Sequence, residues 1–269
     1  MPGRPARASG RPGGALITAG LGSLTYALIQ LGHGSNAGSV GVLALGAVCL
    51  VAFAVVEARR ARPMLPLGTF RSMQFTGANL TTLAVYAALN GAMFLLALQL
   101  QQSLHYSPLG AGASMLPVTA LMLLLSPRMG ALAQRTGPRP PMTAGPILAG
   151  AALAQMTRIT PGASYLTAVL PAVALFGLGL SITVAPLTTT VLASLPEDQA
   201  GLASGINNAV ARIAGLFAVA VLPLLAGVRT AGGQLGPGFA TAMLIAGGTC
   251  AAGGVIAWAT IPGRGRVAR

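Results

Sequence analysis

The chain contains a long uncharged segment at residues 75–101, which reads FTGANLTTLAVYAALNGAMFLLALQLQ. A helix of about 20 apolar residues crosses the hydrocarbon core of a bilayer, and this segment is longer than that. A charged side chain at the centre of a bilayer costs about 3 kcal/mol even on the most lenient scale, so charge-free stretches of this length are typical of membrane-spanning helices. The segment therefore predicts a transmembrane helix.

Seven further apolar runs of similar character occupy most of the remaining chain. Hydrophobic residues make up 54% of the sequence and charged residues only 7%, whereas a soluble domain carries roughly 25% charged residues. The mean hydropathy is +0.75. Composition and spacing together predict an all-α integral membrane protein with about eight transmembrane helices. The predicted runs are 14–32, 39–57, 75–101, 109–128, 142–159, 165–193, 203–227 and 238–261.

The charged residues lie almost entirely between these runs. Sixteen basic residues, all arginine, accompany only three acidic residues, Glu57, Glu197 and Asp198. Arg158 and Arg229 fall in loops on one side of the predicted topology, and thirteen arginines fall on the other side. Because short arginine-rich loops stay in the cytoplasm, this distribution predicts a multi-pass cell-membrane protein with both termini cytoplasmic. The thirteen are Arg4, Arg7, Arg11, Arg59, Arg60, Arg62, Arg71, Arg128, Arg135, Arg139, Arg264, Arg266 and Arg269.

The first run is interpreted as a retained helix. Arginines followed by an apolar run also occur in signal peptides, but no small-residue cleavage site closes this run and the second run begins almost at once. The predicted organisation is a cytoplasmic tail at 1–13, two transmembrane helices within 14–57, a cytoplasmic loop at 58–74, six helices within 75–261 and a cytoplasmic tail at 262–269.

Nucleic-acid binding, metal binding and catalysis lack their usual sequence signals. The pI is near 11.8, but the arginines are scattered through short loops instead of sharing one face with aromatic residues, which argues against nucleic acid. Cys49 and Cys250 lie in apolar runs and are interpreted as small buried hydrophobes. His33 and His105 have no metal-ligand spacing, and no catalytic motif is found. The sequence thus predicts no enzyme, no cofactor and no metal.

A polar stripe runs along the helix predicted at 75–101. Asn79, Thr82, Tyr86 and Asn90 fall within about a quarter of the helix circumference. Lipid offers these groups no hydrogen bonds, so the stripe must face protein or a water-filled cavity. We interpret the four residues as candidate substrate contacts, and hydrogen bonding between helices is the alternative of equal weight.

A second stripe lies on the seventh run, where small and polar residues share one face with Arg212. Small residues favour close helix packing. The side chain of Arg212 is expected to extend to the cytoplasmic surface. Glu197 and Asp198 are expected to cap the helix that follows them. The less favoured alternative is a buried ion pair between Arg212 and one of these acids. The candidates for helix packing or gating are Pro117, Pro186, Gly201, Ser204, Gly205, Asn208 and Arg212.

The segment SPRMGALAQRTGPRPP at residues 126–141 resembles the cytoplasmic loop motif G-x-L-A-D-R-x-G-R-R of the major facilitator superfamily. The chain departs from that motif at Gln134, which replaces its aspartate, and at Pro138, which replaces an arginine. The resemblance implies that this loop helps to hold the transporter in one conformation, and the departures weaken any charge lock there. The matching motif residues assigned to this role are Gly130, Arg135, Gly137 and Arg139.

Three further stretches are similar to the fourteen-span drug:proton antiporter branch of that family. They are EARRARPMLPL at 57–67, SPLGAG at 107–112 followed by Leu116-Pro117, and AGLASGINNA at 200–209 continuing to Arg212. By this resemblance, 14–57 holds the two central linker helices and 75–261 is the C-terminal six-helix half. The half is expected to contain two inverted triplets, about 75–159 and 165–261.

The resemblance implies efflux of drugs or other amphipathic small molecules, coupled to protons and driven by alternating access. Proton coupling usually needs a carboxylate within the membrane, and none of the three acids is predicted there. We therefore expect the coupling acid in a separate N-terminal six-helix half. The alternatives are a non-transporting truncated protein, a scaffold that associates with such a half, or a permease subunit of another pump.

Overall fold

The computed structural model describes residues 11–33, 37–59, 67–228 and 235–263. The described chain divides into two compact units, which meet between Thr69 and Phe70. The boundary falls within the predicted loop at 58–74. Most of both predicted tails and several of the arginines used for orientation lie outside the described residues; these arginines are Arg4, Arg7, Arg60, Arg62, Arg229, Arg264, Arg266 and Arg269.

Every predicted run corresponds to helix in the described chain. Short 3₁₀ turns occupy Leu67–Arg71, Met156–Arg158 and Glu197–Gln199, and a π-helical turn at Tyr165–Val169 precedes the seventh α-helix. The α-helices are α1 (Arg11–His33), α2 (Ala37–Ala58), α3 (Met73–Ser103), α4 (Pro108–Ala113), α5 (Leu116–Thr136), α6 (Arg139–Gln155), α7 (Leu170–Leu192), α8 (Ala200–Leu225) and α9 (Gly236–Thr260).

Helix lengths fit a bilayer. Among the described residues, five helical segments are long and apolar enough to cross a membrane: Met73–Ser103, Pro108–Thr136, Tyr165–Leu192, Glu197–Leu225 and Gly236–Thr260. Helix α6 is shorter, with 17 residues, which corresponds to about 26 Å. Its continuation as the 3₁₀ turn Met156–Arg158 lengthens the span to roughly the 30 Å of a hydrocarbon core.

The fourth predicted run, 109–128, differs from the structure at both its start and its end. The segment is broken after α4, and Pro117 occupies the first turn of α5, where its missing N–H leaves no hydrogen bond unmade. Helix α5 then continues past Arg128 to Thr136. The prediction ended the helix at the first arginine. A charge limits what lies in hydrocarbon, but it does not stop a helix from extending into water.

The first unit, residues 1–69, contains α1 and α2 packed against each other. The two helices approach closely at Gly46, where an added Cβ would lie 2.9 Å from the backbone nitrogen of Leu24. Small residues permit such backbone contacts between membrane helices.

The second unit, residues 70–269, packs α3 against α8 and α9, α6 against α7 and α9, and α5 against α7. These contacts are symmetric between two triplets of spans. The first triplet is α3, α5 and α6, and its counterparts in the second triplet are α7, α8 and α9. When each helix is replaced by its counterpart, the same five helix pairs are obtained. The two inverted triplets predicted from the sequence would produce a set of contacts with this symmetry, and they stay a prediction.

Helices α6 and α9 meet through two glycines at the centre of the second unit. A Cβ added at Gly150 would lie 2.6 Å from the carbonyl oxygen of Gly247, and one at Gly247 would lie 2.8 Å from that of Gly150. Helices α6 and α7 approach in the same way, since a Cβ at Gly179 would lie 2.6 Å from the backbone nitrogen of Ala149. Backbone contact therefore fixes the spacing of these helices.

We predict that Gly150→Ala destabilises the second unit by about 1–3 kcal/mol, because the new methyl group collides with backbone that cannot rotate away. The matched control is Gly248→Ala on α9, where an added Cβ meets nothing within 4 Å. The control gains helix propensity without a clash and should be neutral or stabilising. Thermal unfolding in detergent measures both variants, and equal midpoints would contradict the close contact between α6 and α9.

Candidate functional site

A hydrogen-bonded cluster joins the first halves of α3 and α8. The side-chain amide of Asn207 donates to Thr82 Oγ1 at 2.6 Å and to Asn79 Oδ1 at 3.3 Å. Asn79 donates in turn to the carbonyl of Phe75, and Thr82 donates to that of Ala78. A single asparagine of α8 thus forms hydrogen bonds with two polar residues of α3, and these bonds satisfy its amide N–H groups without water.

The polar stripe on α3 divides into two parts. Asn79 and Thr82 are buried, at 4% and 0% exposure, and both bond to Asn207. The structure thus gives these two residues the role of interhelical contact. Tyr86 is half-buried and Asn90 is exposed, so only this second part of the stripe is open to a ligand in the described chain.

The contact of Asn90 with α8 defines the register of the two helices. Asn90 donates from Nδ2 to the carbonyl of Tyr86, and a Cβ added at Gly215 would lie 2.9 Å from that same nitrogen. Asn207 meets α3 at Thr82, and Gly215 meets it about two turns later at Asn90. The contacts advance in the same direction along both helices, so α3 and α8 are parallel. The register places Arg212 level with Tyr86.

The remaining face of α8 is open. Four residues of the predicted stripe are exposed, namely Gly201, Gly205, Asn208 and Arg212, and Ser204 is half-buried. Cβ atoms added at Gly201 and Gly205 would meet nothing within 4 Å, so these glycines do not pack against another described helix. Gly215 shows the close approach that was expected of the whole stripe. Asn208 reaches Ser204 Oγ at 3.5 Å.

The structure does not support the expected surroundings of Arg212. This arginine is the thirteenth of the 26 residues of α8, about 18 Å along the axis from the first residue. That distance is too long for its side chain to reach the N-terminal end of α8. Glu197 and Asp198 are exposed in the turn before α8, and no side chain caps the helix through a hydrogen bond. Within the described residues, Arg212 forms no ion pair.

The predicted cytoplasmic loop motif is mostly helical. Helix α5 runs to Thr136, and the turn to α6 is centred on Gly137, whose φ of 88° favours glycine. Gly130 faces α7, since an added Cβ would lie 3.6 Å from the Cβ of Ala185. Arg135 is exposed. The motif therefore sets a tight connection between two adjacent spans.

Arg139 begins α6 and contacts the end of α9. Its guanidinium lies 4.7 Å from the centre of the Trp258 ring, which is a cation–π distance. Both residues belong to the second unit, so this contact ties two of that unit's own helices together. Sequence reasoning missed Trp258, although it is the only tryptophan of the chain.

The two candidate gating prolines occupy different environments. Pro117 lies in the first turn of α5, next to the break after α4. Pro186 is buried inside α7, which continues through it. Thr190 Oγ1 donates to the Pro186 carbonyl at 2.7 Å. Hydroxyl groups of this kind satisfy backbone carbonyls near a proline in a membrane helix. A gating role for either proline stays a prediction.

The fold and the site together define a multi-pass helical membrane protein with an open polar face on one parallel helix pair. Among the described residues no group of three or more histidine, cysteine or acidic side chains could hold a metal. The sequence profile of the Major Facilitator Superfamily matches residues 7–219. The chain belongs to that family of membrane transporters.

Curated relatives of the chain are resistance and export proteins. It is 34% identical over 215 residues to the puromycin resistance protein of Streptomyces alboniger, covering 78% of this chain and 43% of the relative. It is 33% identical to the cephamycin export protein of Amycolatopsis lactamdurans, with coverages of 82% and 46%. For the lincomycin resistance protein of Streptomyces lincolnensis the identity is 32%, with coverages of 88% and 49%. The chain thus spans a little under half the length of each.

Asn207 is the main site residue that the sequence analysis did not select. It lies beside Asn208, but helical spacing places it about 100° away, outside the predicted stripe. The signal available in the sequence was the pair of adjacent asparagines inside an otherwise apolar run. One of two neighbouring amides must then face a partner helix.

We predict that Asn207→Ala lowers the stability of the second unit by roughly 1 kcal/mol, the usual range for a hydrogen bond between membrane helices. Asn208→Ala is the matched control, because Asn208 is exposed and makes only the 3.5 Å contact with Ser204. Thermal unfolding of both variants in the same detergent provides the measurement. An Asn208→Ala variant as unstable as Asn207→Ala would show that the cluster does not hold α3 to α8.

Proposed function

We propose that the chain is the C-terminal part of an exporter that moves drugs or other amphipathic small molecules across the cell membrane in exchange for protons. The observation that carries this proposal is the open polar face of the α3–α8 pair in a member of a transporter family. Relatives that are resistance or export proteins support the same direction of transport.

The proposed substrate surface consists of Tyr86 and Asn90 on α3 and Asn208 and Arg212 on α8. An aromatic ring, two amides and a guanidinium stand there among apolar residues, and this mixture suits amphipathic molecules. Asn79 and Thr82 were also predicted as substrate contacts. We propose that they stabilise this surface, because their hydrogen bonds with Asn207 hold α8 against α3.

The second wall of the substrate path would come from a segment equivalent to the part of the relatives that this chain does not cover. The coverage of 43–49% supports that view. The positions of the three acidic residues support the same view. Glu57 is next to last in α2, and Glu197 and Asp198 precede α8. A proton-coupling carboxylate at mid-membrane depth would therefore have to belong to that other segment.

Alternating access would move the second unit against its partner half as one body. The backbone contacts of α6 with α7 and α9 support such a movement, because they resist internal rearrangement. The short connection at Gly137 and the stacking of Arg139 on Trp258 strengthen the cytoplasmic ends of α5, α6 and α9 in the same way.

The proposed orientation places both termini in the cytoplasm, and it predicts opposite accessibility for two exposed turns. In a background with Cys49 and Cys250 replaced by alanine, Thr160→Cys should react with a membrane-impermeant maleimide in intact cells. Glu197→Cys should react only after the cells are opened. Both positions are exposed. The reverse pattern would invert the topology.

We predict that cells expressing the chain alone do not export puromycin, whereas cells that also express the unmatched N-terminal part of the puromycin resistance protein do. The measurement is accumulation of radiolabelled puromycin in cells without their own pumps. A protonophore should abolish the export, because it removes the proton gradient.

Two results would contradict this proposal. Protonophore-sensitive export by the chain alone would show that no second half is needed. Full membrane insertion of both parts without export of any tested drug would favour the alternative, a scaffold or truncated protein that does not transport.

A further inference from the structure

Helix α8 has three distinct faces. One face packs on α3 through Asn207 and Gly215. A second face borders an apolar groove of about 310 Å³ between α3, α8 and α9, lined on α8 by residues such as Phe217 and Val221. Arg212 lies about 180° from Val221 around the helix, on the third face. No other described helix of the second unit covers this third face.

The position of Arg212 within α8 favours a partner of opposite charge. The side chain lies at the middle of α8, level with Tyr86, and at this depth an unpaired guanidinium is expensive in hydrocarbon. The nearest acid along the helix is Asp198, 14 residues away, which corresponds to about 21 Å. Glu197 is one residue further, and Glu57 belongs to the first unit. Neither acid of the second unit therefore lies at the level of Arg212 along α8.

Two side chains on the same face of α8 as Arg212, and one residue of α3 at its level, can donate hydrogen bonds. Asn208 has a second amide proton beyond its contact with Ser204, and the Ser204 hydroxyl can itself donate. The hydroxyl of Tyr86 is a further donor at the level of Arg212. A guanidinium with additional neutral donors is the arrangement that binds a planar carboxylate, because each oxygen can accept two hydrogen bonds.

We propose that Arg212 binds the carboxylate of an amphipathic small molecule at the middle of the membrane, with Asn208 and Tyr86 as additional donors. The inference rests on the proposed function, because it assumes that the α3–α8 face lines the substrate path. It assigns a charge preference to the one wall of that path that this chain supplies, and leaves the preference of the other wall open. Molecules with an apolar body and a carboxylate are favoured over cations of the same shape, since the described face offers a positive charge and no acid.

The test measures binding to the full 269-residue chain in nanodiscs of neutral lipid. The probes are pyrenebutyric acid, its uncharged methyl ester and pyrenebutylamine, which share one apolar body. Fluorescence anisotropy reports binding after subtraction of protein-free nanodiscs. We expect the acid to bind more tightly than the ester, and the amine to bind most weakly.

Arg212→Gln should weaken binding of the acid by roughly tenfold or more, the effect of losing a hydrogen bond to a charged group, and should leave the ester unchanged. Arg212→Lys keeps the charge but not the planar fork, so it should retain part of the preference. The matched control is Arg158→Gln, which removes the same charge from an exposed turn outside α8 and should change nothing. Arg212→Lys also keeps the test decisive if Arg212→Gln does not fold.

Equal binding of acid and ester by the unmodified chain would overturn the inference, as would an acid affinity that Arg212→Gln does not reduce. If Arg212 instead pairs with a carboxylate of a partner half, the acid preference of the chain alone disappears once that half is co-reconstituted, and Arg212→Gln abolishes puromycin export in the two-part transporter. Failure of puromycin export with the acid preference intact would overturn the proposed function and leave the carboxylate site standing.

Discussion

Exclusion of unpaired polar groups from hydrocarbon is the constraint on which the structure of this protein depends. It keeps most of the arginines, though not Arg212, between the apolar runs. It also requires every backbone group within a span to bond internally, which only a helix provides for a single segment. It also governs the hydroxyl side chains. Ser181 and Thr183 on α7 donate to carbonyls four residues earlier, so these polar residues can lie fully buried without a partner from another helix.

The second consequence concerns how the helices hold together. Lipid is as apolar as a leucine side chain, so burial of apolar surface gives membrane helices little reason to associate, and close contact through small residues must supply the attraction. Gly150 and Gly247 bring the backbones of α6 and α9 together, and Gly179 does the same between α6 and α7. Asn207 adds hydrogen bonds between α3 and α8. Helices α6, α7, α9 and α3 therefore form a tight centre, whereas α8 keeps one face open, and the proposed function and the proposed carboxylate site both depend on that face.

The candidate site shows how far a pattern along one helix can be interpreted. Helical spacing grouped Asn79, Thr82, Tyr86 and Asn90 as one stripe on α3, but it could not tell which of them a neighbouring helix covers. The answer depends on Asn207, which lies more than a hundred residues away in the sequence. The small residues of α8 were interpreted as packing positions, yet Gly201 and Gly205 are open and only Gly215 makes close contact. For Arg212, the sequence showed its charge and the scarcity of acidic residues. The structure showed its position along α8 and the open face on which it lies.

The sequence by itself determined that the chain is helical and where its long apolar segments lie, because hydrocarbon imposes length and charge rules that act on each segment separately. It also determined the family through the motif between α5 and α6 and the stretches around it. The tertiary structure alone decided that Arg139 stacks on Trp258, that Asn207 bridges two residues of α3, and that Arg212 has no partner among the described residues. These facts depend on which faces meet when helices distant in the sequence pack, and the periodicity of a single helix contains no information about its neighbour.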